Sequence, residues 1–145
     1  MRSEALRERL AATGLLVRWP EGAPADFAGV TTDSARVRSG MLFMAYAGSA
    51  TDAHAFVGDA AQAGAAAAIV EHPVDGARLP LIEVSNGRRA ASVAAALDAG
   101  DPAESLQLLA VTGTNGKTTT VHVLRHLFGA AAPAASIGTL GAVDS

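Results

Sequence analysis

The feature that most constrains this chain is a glycine-rich turn between an apolar run and a helical pattern. Leu106–Thr112 is apolar and predicts a strand, and the turn Gly113–Gly116 follows it directly. Lys117–Phe128 then carries apolar residues at helical spacing, and Gly129 predicts the end of that helix. A strand, a tight turn and a helix in this order are typical of an α/β fold.

The composition of this turn is that of a phosphate-binding loop. Glycines let backbone N–H groups point inward, and a helix N-terminus adds free N–H donors and a positive dipole end. Val111 stands where the strict motif G-x-x-x-x-G-K-[ST] has its first glycine, so an accidental Gly-Lys-Thr remains the alternative. We predict ATP-phosphate contacts at Gly113, Thr114, Asn115, Gly116, Lys117, Thr118 and Thr119.

Two side chains of the loop carry specific chemistry. Lys117 is the predicted catalytic residue, because its ammonium would neutralise charge on a transferring phosphoryl group. Thr118 is the predicted metal ligand, through its hydroxyl on Mg²⁺. Such sites also need carboxylates, yet the only acidic residue after Lys117 is Asp144. We therefore expect a fragment that holds the nucleotide loop without the complete catalytic apparatus.

Helical and strand patterns also alternate through the rest of the chain, which predicts an α/β fold with largely parallel strands. Gly100-Asp101-Pro102 predicts a domain boundary, giving domains 1–102 and 103–145. The expected helices are Ser3–Thr13, Asp52–Gln62 and Ser85–Asp98. The expected strands, besides the one before the loop, are Val30–Asp33, Met41–Tyr46, Ala65–Val70, Leu81–Val84 and a parallel strand at Ala134–Thr139.

Composition excludes several classes of protein and site. The formal net charge is −3 with no basic block, which argues against a nucleic-acid partner. The chain has no cysteine, so disulfides and thiolate metal sites are excluded. The N-terminus lacks a signal-peptide pattern, and no apolar stretch is long enough for a membrane span. We expect a cytoplasmic protein with no membrane partner.

Several stretches together resemble one known family. Val111–Thr120 reads VTGTNGKTTT and is similar to the ATP loop of the Mur ligases, which build the peptide of bacterial peptidoglycan. Thr32–Phe43 resembles the segment that opens the uridine-nucleotide domain in members that add the third peptide residue. Gly48–Phe56 and Ala60–Glu71 resemble the rest of that domain's core, and Gly100–Pro102 resembles its junction with the ATP domain.

The resemblance implies a fold and an activity. The fold is an N-terminal uridine-nucleotide-binding α/β domain followed by the opening strand–loop–helix–strand of a parallel-sheet ATP-binding domain. The activity is ATP- and Mg²⁺-dependent addition of an amino acid to UDP-N-acetylmuramoyl-L-alanyl-D-glutamate through an acyl phosphate. The implied partners are this UDP-N-acetylmuramoyl-dipeptide precursor and the amino acid. By position in the family's motifs, the substrate-binding residues would be Thr32, Ser34, Ser49, Ala50 and Thr51.

Departures from the family pattern leave alternatives open. Ala53 stands where members usually have glycine, and Ala35 separates Ser34 from Arg36. The rivals are the related ligase that adds D-Ala-D-Ala and a non-catalytic module that binds a uridine nucleotide-sugar. A P-loop phosphotransferase and a folylpolyglutamate-type ligase share the loop, but they do not explain Thr32–Phe43.

Other polar residues have plainer interpretations. Asp33 is expected to cap a turn. His122 and His126 have the i, i+4 spacing of metal ligands but lack a third ligand nearby. His54 and His72 are interpreted as lone histidines with structural or surface roles. Arg88-Arg89 is interpreted as a solvated helix face, with contact to a substrate phosphate as the alternative.

Overall fold

The computed structural model describes residues 1–48 and 51–144, and it divides the chain into two compact units. We call Met1–Ser105 the N-terminal unit and Leu106–Ser145 the C-terminal unit. The helices are α1 (Ser3–Ala12), α2 (Val57–Gln62), α3 (Gly87–Asp98) and α4 (Lys117–Gly129). The strands are β1 (Leu16–Arg18), β2 (Val30–Thr31), β3 (Leu42–Met44), β4 (Ala67–Val70), β5 (Leu81–Val84), β6 (Ser136–Gly138) and β7 (Gly141–Val143).

The N-terminal unit is built on one sheet with the strand order β1-β5-β4-β3-β2. β2 to β5 run parallel, as predicted, and β1 pairs antiparallel with β5. The central strands β3 and β4 are buried along their whole length, which is typical of a parallel sheet covered on both faces. The α/β fold class predicted from the sequence is confirmed.

Alternating side chains of the sheet pack into two separate clusters. Leu42 and Met44 pack with the buried residues of α1 and α3, including Leu6. Phe43 lies on the other face, where it packs with Val57 of α2. Because successive strand residues point to opposite faces, the unit is a three-layer sandwich of helices around the sheet.

Local capping sets where the helices begin and end. The Asp52 carboxylate accepts the N–H of His54 at 3.0 Å and starts a 3₁₀ turn, Ala53–Phe56, that leads into α2. Gly64, at φ 93°, follows this helix in the left-handed conformation that glycine favours. The predicted start of α3 at Ser85 is wrong by two residues, because the helix begins at Gly87. The side chain of Asn86 accepts the Arg89 N–H at 2.9 Å and is the cap.

The C-terminal unit differs from its predicted strand arrangement. The predicted helix after the loop is confirmed as α4. Residues 106–112 form no strand, and β6 is not parallel to a neighbour but pairs antiparallel with β7 in a hairpin. A strand needs a neighbouring strand to pair with its backbone hydrogen-bonding groups. In the described part of this unit, the only neighbour of β6 is β7, which follows it closely in the sequence.

Two further observations complete the fold. The three-residue edge strand β1 was not predicted, because Leu16–Arg18 is too short to show a period and its last two residues are exposed. Among the residues that the structure describes, no helix is long and apolar enough to cross a membrane.

Candidate functional site

Four parallel strands of the N-terminal unit end at the same side of the sheet, which we call the carboxyl edge. Thr32–Ser34 comes directly after β2. The loop Ala47–Asp52 begins three residues after Met44, the last residue of β3. Glu71 follows β4, and Asn86 follows β5 by two residues. Ligands of open α/β sheets bind outside the carboxyl ends of the strands, so this edge is the candidate substrate site.

The turn after β2 uses its aspartate internally. The Asp33 carboxylate accepts the Ala35 N–H at 3.0 Å and lies 3.4 Å from the Arg36 guanidinium, so the predicted capping role is confirmed. Thr32 is exposed and Ser34 is half-buried in the 3₁₀ turn Ser34–Arg36. The structure therefore places both predicted substrate residues of this turn at the carboxyl edge.

The loop after β3 closes on itself around a required glycine. The Gly48 N–H donates to the Thr51 carbonyl at 3.0 Å, and Ala47 and Asp52 form a β-bridge. A Cβ at Gly48 would lie 2.8 Å from the Thr51 carbonyl oxygen, which is closer than real contacts allow. Thr51 is exposed at this edge. The predicted substrate residues Ser49 and Ala50 lie outside the described residues.

Glu71 joins this loop to the start of α3. One carboxylate oxygen accepts the Ala47 N–H at 3.0 Å, and the other accepts the Gly87 N–H at 2.8 Å. These two bonds, that from Ala47 foremost, lower the pKa of Glu71. This group was not predicted from the sequence, although an acidic residue directly after a buried strand and a glycine at a helix start are visible in it.

Gly87 is needed because the backbone approaches its neighbours closely. A Cβ there would lie 2.5 Å from the Tyr46 Cβ and 3.1 Å from the Glu71 Cγ. The Arg88 guanidinium lies 5.5 Å from the centre of the Tyr46 ring, which is cation–π distance. Arg88 is thus engaged with an aromatic ring rather than purely solvated, and it too stands at the carboxyl edge.

His54 is a buried link between the same loop and β4. Its ring nitrogen Nε2 accepts the Glu71 N–H at 2.9 Å, which requires Nδ1 to carry the proton of the neutral ring. Nδ1 lies 2.5 Å from the Asp52 carboxylate and donates to it. The backbone N–H of His54 and then its ring lower the pKa of Asp52. With 5% exposure, His54 has the structural role expected for it.

The histidines were wrongly interpreted as lone, since the rings of His54 and His72 stack at 4.0 Å. Ligand atoms of Asp52, His54 and His72 lie within 4.8 Å of one another, as in metal sites. Both ring nitrogens of His54 are already committed, however, one as an acceptor and one as a donor. Only two ligands would remain, so this arrangement does not fit a metal centre.

The C-terminal unit carries the predicted phosphate loop on its surface. Gly113 has φ 139° and Gly116 has φ 76°, values that side-chain-bearing residues rarely adopt. Gly116 precedes α4, so the helix N-terminus opens directly at the turn. The ammonium of Lys117 donates to the carbonyls of Gly113 and Thr114, which holds this cation over the turn. Thr114, Asn115 and Thr119 are exposed beside it.

Lys117 and Thr118 line a cleft of about 170 Å³ that is bounded also by the hairpin β6–β7. A backbone turn, a helix N-terminus and a lysine fit a nucleotide phosphate. The residues supply fewer ligands for Mg²⁺. Besides the Thr118 hydroxyl, residues 106–144 offer one carboxylate, that of Asp144. His122 also lines the cleft. Among the described residues, no third His, Asp or Glu side chain lies close enough to His122 and His126 to complete a metal site.

The chain matches two family models in succession. Residues 26–107 match the model described as "Mur ligase family, catalytic domain", and residues 111–144 match "Mur ligase middle domain". The chain is 44% identical over 126 residues to UDP-N-acetylmuramoyl-L-alanyl-D-glutamate--2,6-diaminopimelate ligase from Bradyrhizobium diazoefficiens. That alignment covers 86% of this chain and 26% of the relative.

Solved structures resemble the chain as well. MurF from Acinetobacter baumannii superposes with a TM-score of 0.67 at 29% identity, covering 91% of this chain and 28% of that one. MurF from Thermotoga maritima, solved with ADP, has a TM-score of 0.54 at 27% identity, covering 72% of this chain and 24% of that one. The chain thus spans about a quarter of the length of these relatives. Since the first family model matches more than half of the chain, the chain belongs to the Mur ligase family.

Proposed function

We propose that this chain forms the precursor-binding and ATP-phosphate-binding parts of a ligase that adds the third residue to UDP-N-acetylmuramoyl-L-alanyl-D-glutamate. The proposal depends on the turn Gly113–Gly116, in which Gly113 and Gly116 have positive φ. This turn leads directly into the N-terminus of α4, and the Lys117 ammonium lies against it. The relative from Bradyrhizobium diazoefficiens is named for 2,6-diaminopimelate, and we extend that amino acid to this protein. We assign the reaction to the cytoplasm, where ATP is available.

The carboxyl edge is the proposed site for the UDP end of the precursor. Thr32, Ser34 and Thr51 lie in the segments that follow the neighbouring parallel strands β2 and β3, where hydroxyls can donate to a uracil ring or a diphosphate. Ser49 and Ala50 belong to the same proposed set by their place in the family's motif. This geometry supports a nucleotide lying across the ends of β2 and β3.

The chemistry proposed for the complete ligase is activation of a carboxylate by ATP. The D-glutamyl carboxylate attacks the γ-phosphorus and releases ADP, and the resulting acyl phosphate reacts with the incoming amine to form the amide and phosphate. Lys117 would place a positive charge on the phosphoryl oxygens as they transfer. The loop amides would hold the phosphates, and Thr118 would supply one ligand to Mg²⁺, which neutralises phosphate charge when bound.

Calorimetric titration of the 145-residue chain, with ATP and UDP in separate runs, tests both halves of the proposal. We expect Lys117→Ala to weaken ATP binding at least tenfold, because the change removes a charge-assisted contact, and to leave UDP binding unchanged. Arg125→Ala is the matched control, since Arg125 is a cation of the same helix whose side chain donates to the Asp144 carbonyl. Equal ATP affinity in wild type and Lys117→Ala would refute the role of Lys117.

The same titrations separate the rivals. A chain that binds UDP but not ATP, with or without Lys117, would favour the non-catalytic uridine nucleotide-sugar module. The ligase that adds D-Ala-D-Ala gains support from the likeness to the MurF structures. A comparison of UDP-muramoyl-dipeptide with UDP-muramoyl-tripeptide as ligands distinguishes it, because that ligase would prefer the tripeptide.

A further inference from the structure

We propose that Glu71 is a positioning residue for the uridine-nucleotide site, because it fixes both ends of the loop Ala47–Asp52. This inference rests on the proposed function, in which that loop contacts the UDP end of the precursor. Glu71 itself does not need to touch the ligand.

The first end of the loop is held by the Glu71 side chain. One carboxylate oxygen accepts the N–H of Ala47, where the loop begins, at 3.0 Å. The other oxygen accepts the N–H of Gly87, the first residue of α3, at 2.8 Å. The carboxylate therefore ties the start of the loop to the start of a helix whose buried residues pack against the sheet.

The second end of the loop is held through the backbone of the same residue. The Glu71 N–H donates to Nε2 of His54 at 2.9 Å, and Nδ1 of that ring donates to Asp52 at 2.5 Å. Asp52 is the last residue of the loop and forms the bridge with Ala47. One residue after β4 thus fixes both the first and the last residue of a loop that follows β3.

The chemistry of this clamp requires a carboxylate. Two backbone N–H donors face the two oxygens of Glu71, and an ionised carboxylate accepts at both. A glutamine of the same shape has one acceptor oxygen and one NH₂ donor, so it can satisfy only one of the two N–H groups. The NH₂ group would face the other donor, which must move away. Glu71→Gln therefore breaks one arm of the clamp without changing the volume of the side chain.

The decisive experiment compares Glu71→Gln with Glu83→Gln in the 145-residue chain. Glu83 lies in β5 and pairs with Arg18, so its change removes an ionic contact of the same sheet on another residue. We expect Glu71→Gln to weaken UDP binding about tenfold, the cost of one charge-assisted hydrogen bond, and Glu83→Gln to leave it unchanged. Amide hydrogen exchange at Ala47 or Gly87 should accelerate at least tenfold in Glu71→Gln only.

Each outcome has a distinct meaning. Unchanged UDP affinity in Glu71→Gln would overturn the positioning role and leave the proposed function standing. Equal losses in both variants would also overturn it, because they would indicate general destabilisation. A wild-type chain that binds no UDP would overturn the proposed function and this inference together.

Amide hydrogen exchange of the wild-type chain, with and without UDP, tests the inference without depending on the folding of a variant. A ligand that binds the positioned loop stabilises the clamp, so saturating UDP should slow exchange of the Ala47 and Gly87 amides at least tenfold. Exchange at the edge strand β1, which β5 and β4 separate from β3, serves as the internal control and should stay constant. Unaltered exchange at Ala47 and Gly87 in the presence of bound UDP would overturn the inference.

Discussion

The two units of the chain bury their apolar residues very differently. In the N-terminal unit, Leu42, Phe43 and Ile69 are fully buried between a sheet and helices on both faces. In the C-terminal unit, no residue of the described range 106–144 is buried, and Leu127 and Ile137 are 62% and 86% exposed. The turn predicted to bind phosphate thus has its local geometry in a unit whose described residues include no buried side chain.

This difference follows from the range of the contacts involved. The turn Gly113–Gly116 and the start of α4 are set by residues within a few positions of one another. A core instead requires elements from distant parts of the sequence to cover each other. We therefore expect the free energy of unfolding to come mainly from the N-terminal unit.

The largest effect is expected from one substitution made in both units. Leu42→Ala should lower the free energy of unfolding by about 2–5 kcal/mol, because it leaves a cavity at a fully buried site. Leu127→Ala should change it by less than about 0.5 kcal/mol, since that side chain is mostly in solvent. Urea unfolding followed by circular dichroism measures both, and equal losses would break the contrast.

An intermediate effect is expected at glycines within the N-terminal unit. Gly87→Ala should destabilise by about 1–3 kcal/mol, because the added methyl group meets Tyr46 and Glu71. Gly58→Ala is the control in α2, where nothing lies within 4 Å, and it should stabilise by up to about 1 kcal/mol. Thermal unfolding distinguishes them, and a stable Gly87→Ala protein would show that this close approach relaxes at little cost.

The smallest effect is expected from acid. Backbone hydrogen bonds lower the pKa of Glu71 below its ordinary value of 4.5, so its stabilising contribution is complete above that value. The contribution is lost as the pH falls through the lowered pKa, when the folded protein takes up the proton. Asp52, with its pKa lowered by His54, acts in the same direction.

The measurement for this third prediction is the urea midpoint between neutral pH and strongly acidic pH. Glu71→Gln should flatten the acid side of the stability curve, because its side chain does not titrate there. Glu83→Gln is the control variant, because it keeps the Glu71 carboxylate. If the urea midpoints of wild type and Glu71→Gln fell in parallel as the pH is lowered, Glu71 would not be a source of the acid sensitivity.

Local signals in the sequence were sufficient for much of the fold. The strands β3 and β4 are continuous apolar runs, and β5 is apolar except for Glu83. Asp33 caps the 3₁₀ turn that follows it, as aspartates in turns commonly do. The residues of the predicted phosphate loop are likewise contiguous, which is why the helix start at Lys117 was predicted correctly.

Interactions between distant residues could not be read from the sequence in this way. Glu71 accepts from Ala47, 24 residues away, and from Gly87, 16 residues away, and no periodic pattern encodes either distance. The predicted parallel pairing of β6 was wrong for the same reason, because apolar content predicts a strand but not which strand lies beside it. The cap of α3 at Asn86 rather than Ser85 was a smaller error between two good capping residues.

The contact between Glu71 and the Gly87 amide also bears on chemical ageing. Asparagine followed by glycine deamidates when the glycine nitrogen attacks the side-chain amide carbon and closes a succinimide ring. At Asn86 that nitrogen is held by Glu71, and the side-chain oxygen is held by the Arg89 N–H, so ring closure is opposed. Asn115-Gly116 has the same dipeptide in an exposed turn. Peptide mapping of a stored sample should therefore find succinimide and aspartate at Asn115 before Asn86, so the predicted phosphate loop is the first of the two sites to be modified.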